Sequence, residues 1–178
     1  MKLEPLISLA RESIESKLEG KKLEVSEKIK NEYSKNGACF VTLTINGSLR
    51  GCIGSIVAHR PLWMDVVENA KAAAFSDPRF FPLTKEEFDR IRIEISVLTN
   101  PKQISFKDEK ELLEKIDNKM GLILKSGIFS STFLPQVWEQ IPSKKEFLEN
   151  LSLKAGLSKD AWKKSEIFFY RVISKKES

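Results

Sequence analysis

Apolar positions along this chain change their spacing several times, and each change marks an element. Leu6, Leu9, Ala10, Ile14 and Leu18 recur at helical spacing after Pro5, and Gly20 closes the run. The spacing predicts a first helix with proline in its opening turn and glycine just past its end. Residues 21–36 are charged, with a short helix expected over 26–33. Residues 38–45 are β-branched and apolar, and 48–55 return after Asn46-Gly47. Both residues of that dipeptide tolerate positive φ, so the two runs read as an antiparallel hairpin. Pro61 opens a second long helix reaching Phe75, striped by Leu62, Val66, Ala70 and Ala74 and widened by Trp63 and Val67.

The second half continues in the same mixed fashion. Residues 77–82 form a rigid aromatic loop, and Thr84-x-x-Glu87 is a capping box that starts a short helix. Ile91, Ile93, Ile95 and Val97 alternate with Arg92, Glu94 and Ser96, the pattern of a half-buried strand that Pro101 ends. A helix is expected over 108–118, then strands over 121–125 and 128–134 around Ser126-Gly127. Ser143-x-x-Glu146 starts a helix that Gly156 stops, and Ser158 caps a short helix holding Trp162. Residues 166–173 are apolar on both faces and read as one central strand, followed by a frayed tail over 175–178. There is no repeat or long linker. Strands and helices interleave, but the clearest pairing is antiparallel, which predicts an α+β fold with a mixed, largely antiparallel sheet flanked by helices.

Composition narrows the chemistry more than the fold. The 178 residues, 41% apolar and 31% charged, suit one globular domain. One His and two Cys cannot build a zinc site of four cysteines or of paired cysteines and histidines, nor a disulfide framework. No metal or cofactor is therefore expected. The net charge of +5 is spread as lysine pairs beside acids, the pattern of a solvated surface rather than a nucleic-acid footprint. No run approaches a membrane span, and residues 1–15 read as a charged helix rather than a signal peptide. With unpatterned cysteines, this points to the reducing cytoplasm.

One segment remains unusual. In Leu49-Arg50-Gly51-Cys52-Ile53-Gly54-Ser55 two glycines bracket a cysteine within a strand, which marks a bulge or a close backbone approach. An uninterrupted hairpin register puts Val41 opposite Cys52 and Cys39 opposite Gly54, with the two thiols diagonal on one face at about 7–8 Å. A bulge at Gly51 instead sends Cys52 to the other face. Neither arrangement is a structural disulfide. On a regular strand Arg50 shares a face with Cys52 and could activate its thiol, while a free cysteine is commonly just a small buried hydrophobe. His59 reads as an exposed loop residue, able to meet Cys52 only if the chain folds back. Asp77 and Arg79, in Asp77-Pro78-Arg79-Phe80, either pair to anchor the loop or face a ligand. Phe80, Phe81, Trp63 and Trp138 read as core or cleft wall.

These segments resemble a known family. Leu49–Gly54, then Ala72-Ala73-Ala74-Phe75-Ser76-Asp77-Pro78-Arg79-Phe80, Glu94-Ile95-Ser96-Val97-Leu98-Thr99, Phe133-Leu134-Pro135-Gln136-Val137 and Lys154-Ala155-Gly156-Leu157 are similar, in order, to the blocks of the AMME-syndrome candidate protein family. Its microbial members are labelled AmmeMemoRadiSam system protein A. The resemblance covers residues 4–172. It implies a cytoplasmic α+β protein, a single family domain whose larger lobe holds both termini and carries a smaller inserted lobe. It also implies neighbourhood with a Memo-like protein and a radical-SAM enzyme, and no settled activity. Members of the family often carry a cysteine just before the Lys-Ala-Gly-Leu block, where this chain has Ser152.

Two functions follow as expectations. In one, Cys52 is the catalytic or ligand-sensing thiol of an enzyme or substrate-handling component of a modification system. Arg50, Gly51, Gly54, Asp77, Arg79 and Phe80 then bind a small anionic substrate. In the other, the chain is a non-catalytic adaptor that docks to the Memo-like or radical-SAM partner, with the same segment as a rigid contact face. Nucleic-acid binding, motivated only by the pI of 9.1, stands third.

Overall fold

The structure is a computed structural model describing residues 1–177. The described chain divides into two compact units: residues 1–98 with 173–177, and residues 99–172 between them. Both ends of the described chain thus belong to the larger unit, and the smaller one is a single continuous insertion.

In the larger unit the order is α1 (Glu4–Leu18), α2 (Glu27–Glu32), β1 (Asn36–Ile45), β2 (Ser48–Gly54), β3 (Arg60–Pro61), α3 (Leu62–Phe75), α4 (Lys85–Phe88) and β4 (Ile91–Leu98). The last strand, β9 (Val172–Lys176), returns to it after the insertion. The strands form one sheet in the order β2-β1-β4-β9, with β3 beside β1. Alternation along β1 and β4 buries Cys39, Val41, Leu43, Ile91, Ile93 and Ile95 completely. They share one core with Leu6, Ala10 and Ile14 of α1 and Val66, Ala70 and Ala74 of α3. Asn46 and Gly47 adopt positive φ of 52° and 81°, as the hairpin dipeptide requires.

The insertion holds β5 (Lys102–Ile104), α5 (Glu109–Lys115), β6 (Gly121–Ser126), β7 (Phe129–Phe133), α6 (Lys144–Lys154) and β8 (Glu166–Tyr170). Its antiparallel sheet runs β5-β8-β6-β7. The core gathers Leu112, Leu122, Leu124, Phe147, Trp162 and Ile167, and Trp138 stacks on Phe147 at 3.7 Å between centroids.

The α+β expectation holds, and two local readings change. The single strand read over 166–173 divides at Arg171. The Arg171 N–H donates to Thr99 Oγ1, and the Thr99 N–H donates to the Arg171 carbonyl, both at 2.8 Å. This reciprocal pair fastens the two ends of the insertion, so β8 and β9 serve different sheets. Nor does the tail fray from residue 175. Lys175 and Lys176 lie in β9, and Glu177 accepts Arg11 Nε at 2.7 Å and the Ile93 N–H at 3.2 Å. Ser178, the end of that expected tail, lies outside the described residues. Among the described residues no helix is long and apolar enough to cross a membrane.

Candidate functional site

The hairpin register settles where Cys52 points. Ile45 faces Ser48 and Thr44 faces Leu49, but Leu43 then faces Gly51, so Arg50 is the extra residue of a β-bulge. Beyond it Thr42 faces Cys52, Val41 faces Ile53 and Phe40 faces Gly54. The uninterrupted register is not formed. Cys39 faces the core with Val41 and Leu43, while Cys52 lies on the opposite face beside Thr42, whose Oγ1 is 3.2 Å from its sulfur. Both thiols are free, Cys39 buried and Cys52 half-buried. Burial, with the Asp65 carboxylate close by, pushes the Cys39 thiol far up.

The glycines are there for packing. A Cβ on Gly51 would stand 2.1 Å from the Ala73 carbonyl oxygen, so only glycine lets β2 lie this close to the end of α3. At Gly54 the added carbon would meet the Phe40 ring at 2.3 Å and the Cys39 carbonyl oxygen at 2.7 Å. Neither glycine has positive φ. The space beside each is filled by the protein itself.

β2 is an edge strand, and the Asp77–Phe80 loop closes that edge at Cys52. The Cys52 N–H donates to Asp77 Oδ2 at 2.9 Å, and the Cys52 carbonyl accepts from Arg79 Nη2 at 3.2 Å. An acceptor and a donor stand where a neighbouring strand would supply them. Asp77 is buried, and its oxygens also accept Arg79 Nε at 2.9 Å, Nη2 at 2.7 Å and the Arg79 N–H at 3.1 Å. The Arg79 guanidinium, followed by these backbone donors, holds the Asp77 carboxyl well below the usual carboxylate range.

Arg50 turns elsewhere. Its Nε and Nη2 each donate to Glu87 at 2.8 Å, and Nη2 also reaches the Phe81 carbonyl at 2.9 Å. Its bond to Arg50 lowers the Glu87 carboxyl. Glu87 thus serves twice, since it also completes the capping box at Thr84. Nη1 of Arg50 is buried without a partner among the described residues. Two guanidiniums lie over the Phe80 ring, Arg50 at 5.7 Å and Arg79 at 5.5 Å from its centroid. Phe81, the next residue, is 90% exposed.

The structure therefore brings Cys52, Asp77, Arg79, Phe80 and Arg50 together around one strand edge, with Arg79 rather than Arg50 reaching the Cys52 backbone. His59 stays apart, exposed, with its ring nitrogen on the Val57 carbonyl at 3.0 Å. No group of three potential metal ligands occurs among the described residues. Sequence reasoning missed Thr42, visible only once the bulge is placed, and the second role of Glu87. It also missed Asp65, a fully buried carboxylate that accepts the Cys39 N–H at 2.9 Å, Ser55 Oγ at 2.7 Å and Arg60 Nε at 2.8 Å.

Known proteins repeat this architecture. The AMMECR1 family model matches residues 7–176. A protein of Aquifex aeolicus is 42% identical over 96% of this chain and 89% of its own length. One of Nanoarchaeum equitans is 41% identical over 93% of this chain and 94% of its own. The crystal structure of an uncharacterized protein from Pyrococcus horikoshii superposes with a TM-score of 0.78. It is 34% identical and covers 98% of this chain and 91% of that one.

Proposed function

The chain belongs to the AMMECR1 family, and from the geometry of its Arg50–Gly54 segment we propose that it works as a non-catalytic cytoplasmic adaptor. Its partner, on the family resemblance, is a Memo-like protein or a radical-SAM enzyme. The observation that carries this reading is the internal satisfaction of the residues that could have handled a substrate. Both Asp77 oxygens are occupied by Cys52 and Arg79, Arg50 is held by Glu87, and the space at both glycines is filled. What this edge offers outward is the exposed Phe81 ring and, two residues before it, an Arg79 side chain that is 52% exposed. An exposed aromatic and an arginine on one preorganised loop are the composition of an interface anchor.

The test is the affinity of the purified protein for its Memo-like and radical-SAM neighbours, by calorimetry or interferometry. Phe81→Ala should weaken the complex by roughly tenfold or more while melting at the wild-type temperature, and Cys52→Ala should leave affinity unchanged. If no complex forms with either neighbour, or if Phe81→Ala binds as the wild type does, the adaptor reading is wrong.

One observation favours the second reading, a thiol-centred activity. Cys52 is only half-buried and its sulfur sits 3.2 Å from the Thr42 hydroxyl. Comparing Cys52→Ser with Cys52→Ala in cells decides it: if both keep stability and the phenotype of the system, the thiol does no chemistry.

A further inference from the structure

Away from the Cys52 edge, an open groove of about 650 Å³ runs between residues 21–25 and one face of α3. It shares no lining residue with that edge. Its floor is apolar, made by Leu23, Val25, Trp63 and Val67. Trp63, Val67 and Lys71 are spaced four apart, so they form one stripe along the helix. The rim is basic: Lys21, Lys22, Lys30 and Lys71, against one acid, Glu24. Lys21 pairs with Glu19 at 2.7 Å and Lys30 with Glu27 at 2.6 Å. Such exposed pairs are weak and exchange readily for another carboxylate. Lys22 and Lys71 have no ion pair among the described residues.

The strap beside the groove adds an independent observation. Lys22 to Val25 lie outside any helix or strand, with Lys22 and Glu24 exposed and Leu23 and Val25 half-buried. That alternation is the pattern of a strand. The Lys21 N–H bonds the Ser16 carbonyl at 2.8 Å, but from Lys22 to Val25 no backbone N–H or C=O has a partner among the described residues. An unpaired backbone with a strand-like alternation thus lies next to an apolar floor and the ammonium groups of Lys22 and Lys71.

We infer that this groove takes an extended acidic peptide of a partner protein, added as a strand to Lys22–Val25. Alternate side chains of such a peptide would point to opposite sides, apolar ones to Trp63 and Val67 and carboxylates to Lys22 and Lys71. Backbone pairing supplies affinity, and the charge of the rim selects against basic sequences.

Intrinsic fluorescence tests this directly on the full chain. Of the three tryptophans, Trp138 and Trp162 are 5% and 0% exposed, so a ligand-induced change reports Trp63. The probes are a short synthetic peptide alternating Glu with Val and Leu, its twin with Lys in place of Glu, and a backbone N-methylated copy of the acidic one. The acidic peptide should give a saturable change that weakens as salt rises. The double variant Lys22→Glu, Lys71→Glu, with wild-type circular dichroism, should bind it roughly tenfold more weakly or worse. The lysine twin and the N-methylated copy should fail. No saturable change, equal binding by either control peptide, an undiminished affinity in the double variant, or the same response to free glutamate would each overturn the inference.

Discussion

Asp77 Oδ2 accepts the backbone N–H of Cys52 at 2.9 Å, which makes an acid beyond the end of α3 the cap of an open strand edge. Arg79 completes the cap but is half exposed, so its pairing with Asp77 is screened by water and adds little by itself. Asp77→Ala should therefore destabilise the protein by about 2–3 kcal/mol through a buried donor left unpaired. Arg79→Ala should cost about 1 kcal/mol or less. Urea denaturation of both variants checks the order, and the reverse order would remove Asp77 from this role.

The same carboxylate sets part of the acid stability. Its pKa in the folded protein lies below the unfolded value of about 3.9, so its contribution is present above roughly pH 4 and is lost as pH falls toward the folded value. The stability gap between wild type and Asp77→Asn should be widest near neutrality and narrow progressively as pH falls below roughly 4. Guanidinium midpoints at a series of pH values test this. A gap that stays constant into strong acid would show that the charge of Asp77 is not what stabilises.

The two thiols should react at different rates. Cys39 is fully buried and its ionisation is pushed far up, whereas Cys52 is half-buried at the outer sheet face. Only the thiolate is reactive. In native buffer a maleimide or disulfide reagent should modify Cys52 first, with Cys39 reached only in denaturant. Peptide mapping that finds Cys39 modified at the same rate would contradict the register described above.

The glycines should rank by what an added methyl meets. Gly51→Ala drives carbon onto the rigid Ala73 carbonyl and should cost about 3 kcal/mol or more. Gly54→Ala strikes a ring that can swing aside and a carbonyl farther off, for about 1–3 kcal/mol. Gly47→Ala meets no atom within 4 Å, and only its positive φ penalises it, by roughly 1 kcal/mol. Thermal melts of the three order these effects, and an insensitive Gly51 would mean that β2 can move away from α3.

Elements fixed by local signals were legible in the sequence. The helix after Pro5, the Asn46-Gly47 turn and the alternating strand from Ile91 need only neighbouring residues. The bulge was legible as a choice between two registers, but its position was not. It falls at Arg50 because Gly51 must fit beneath Ala73, and that contact is invisible to spacing. The break at Arg171 has no glycine or proline to announce it, because it comes from a partner at Thr99, 72 residues away. Glu87 was readable as a cap of Thr84 and not as the anchor of Arg50, 37 residues distant. Local periodicity thus marked the neighbourhood of the site, and long-range pairs decided its geometry.

The larger unit obtains its last strand only after the insertion has been synthesised, because β9 follows residue 172 and pairs with β4. On the ribosome, β4 therefore waits with an unpaired edge through the translation of residues 99–172. Neither β9 nor the Glu177 clamp on Arg11 can form before the whole insertion has been made. An exposed edge of this kind is prone to pairing with other chains. Premature termination within the insertion would thus leave a sticky fragment rather than a smaller stable protein.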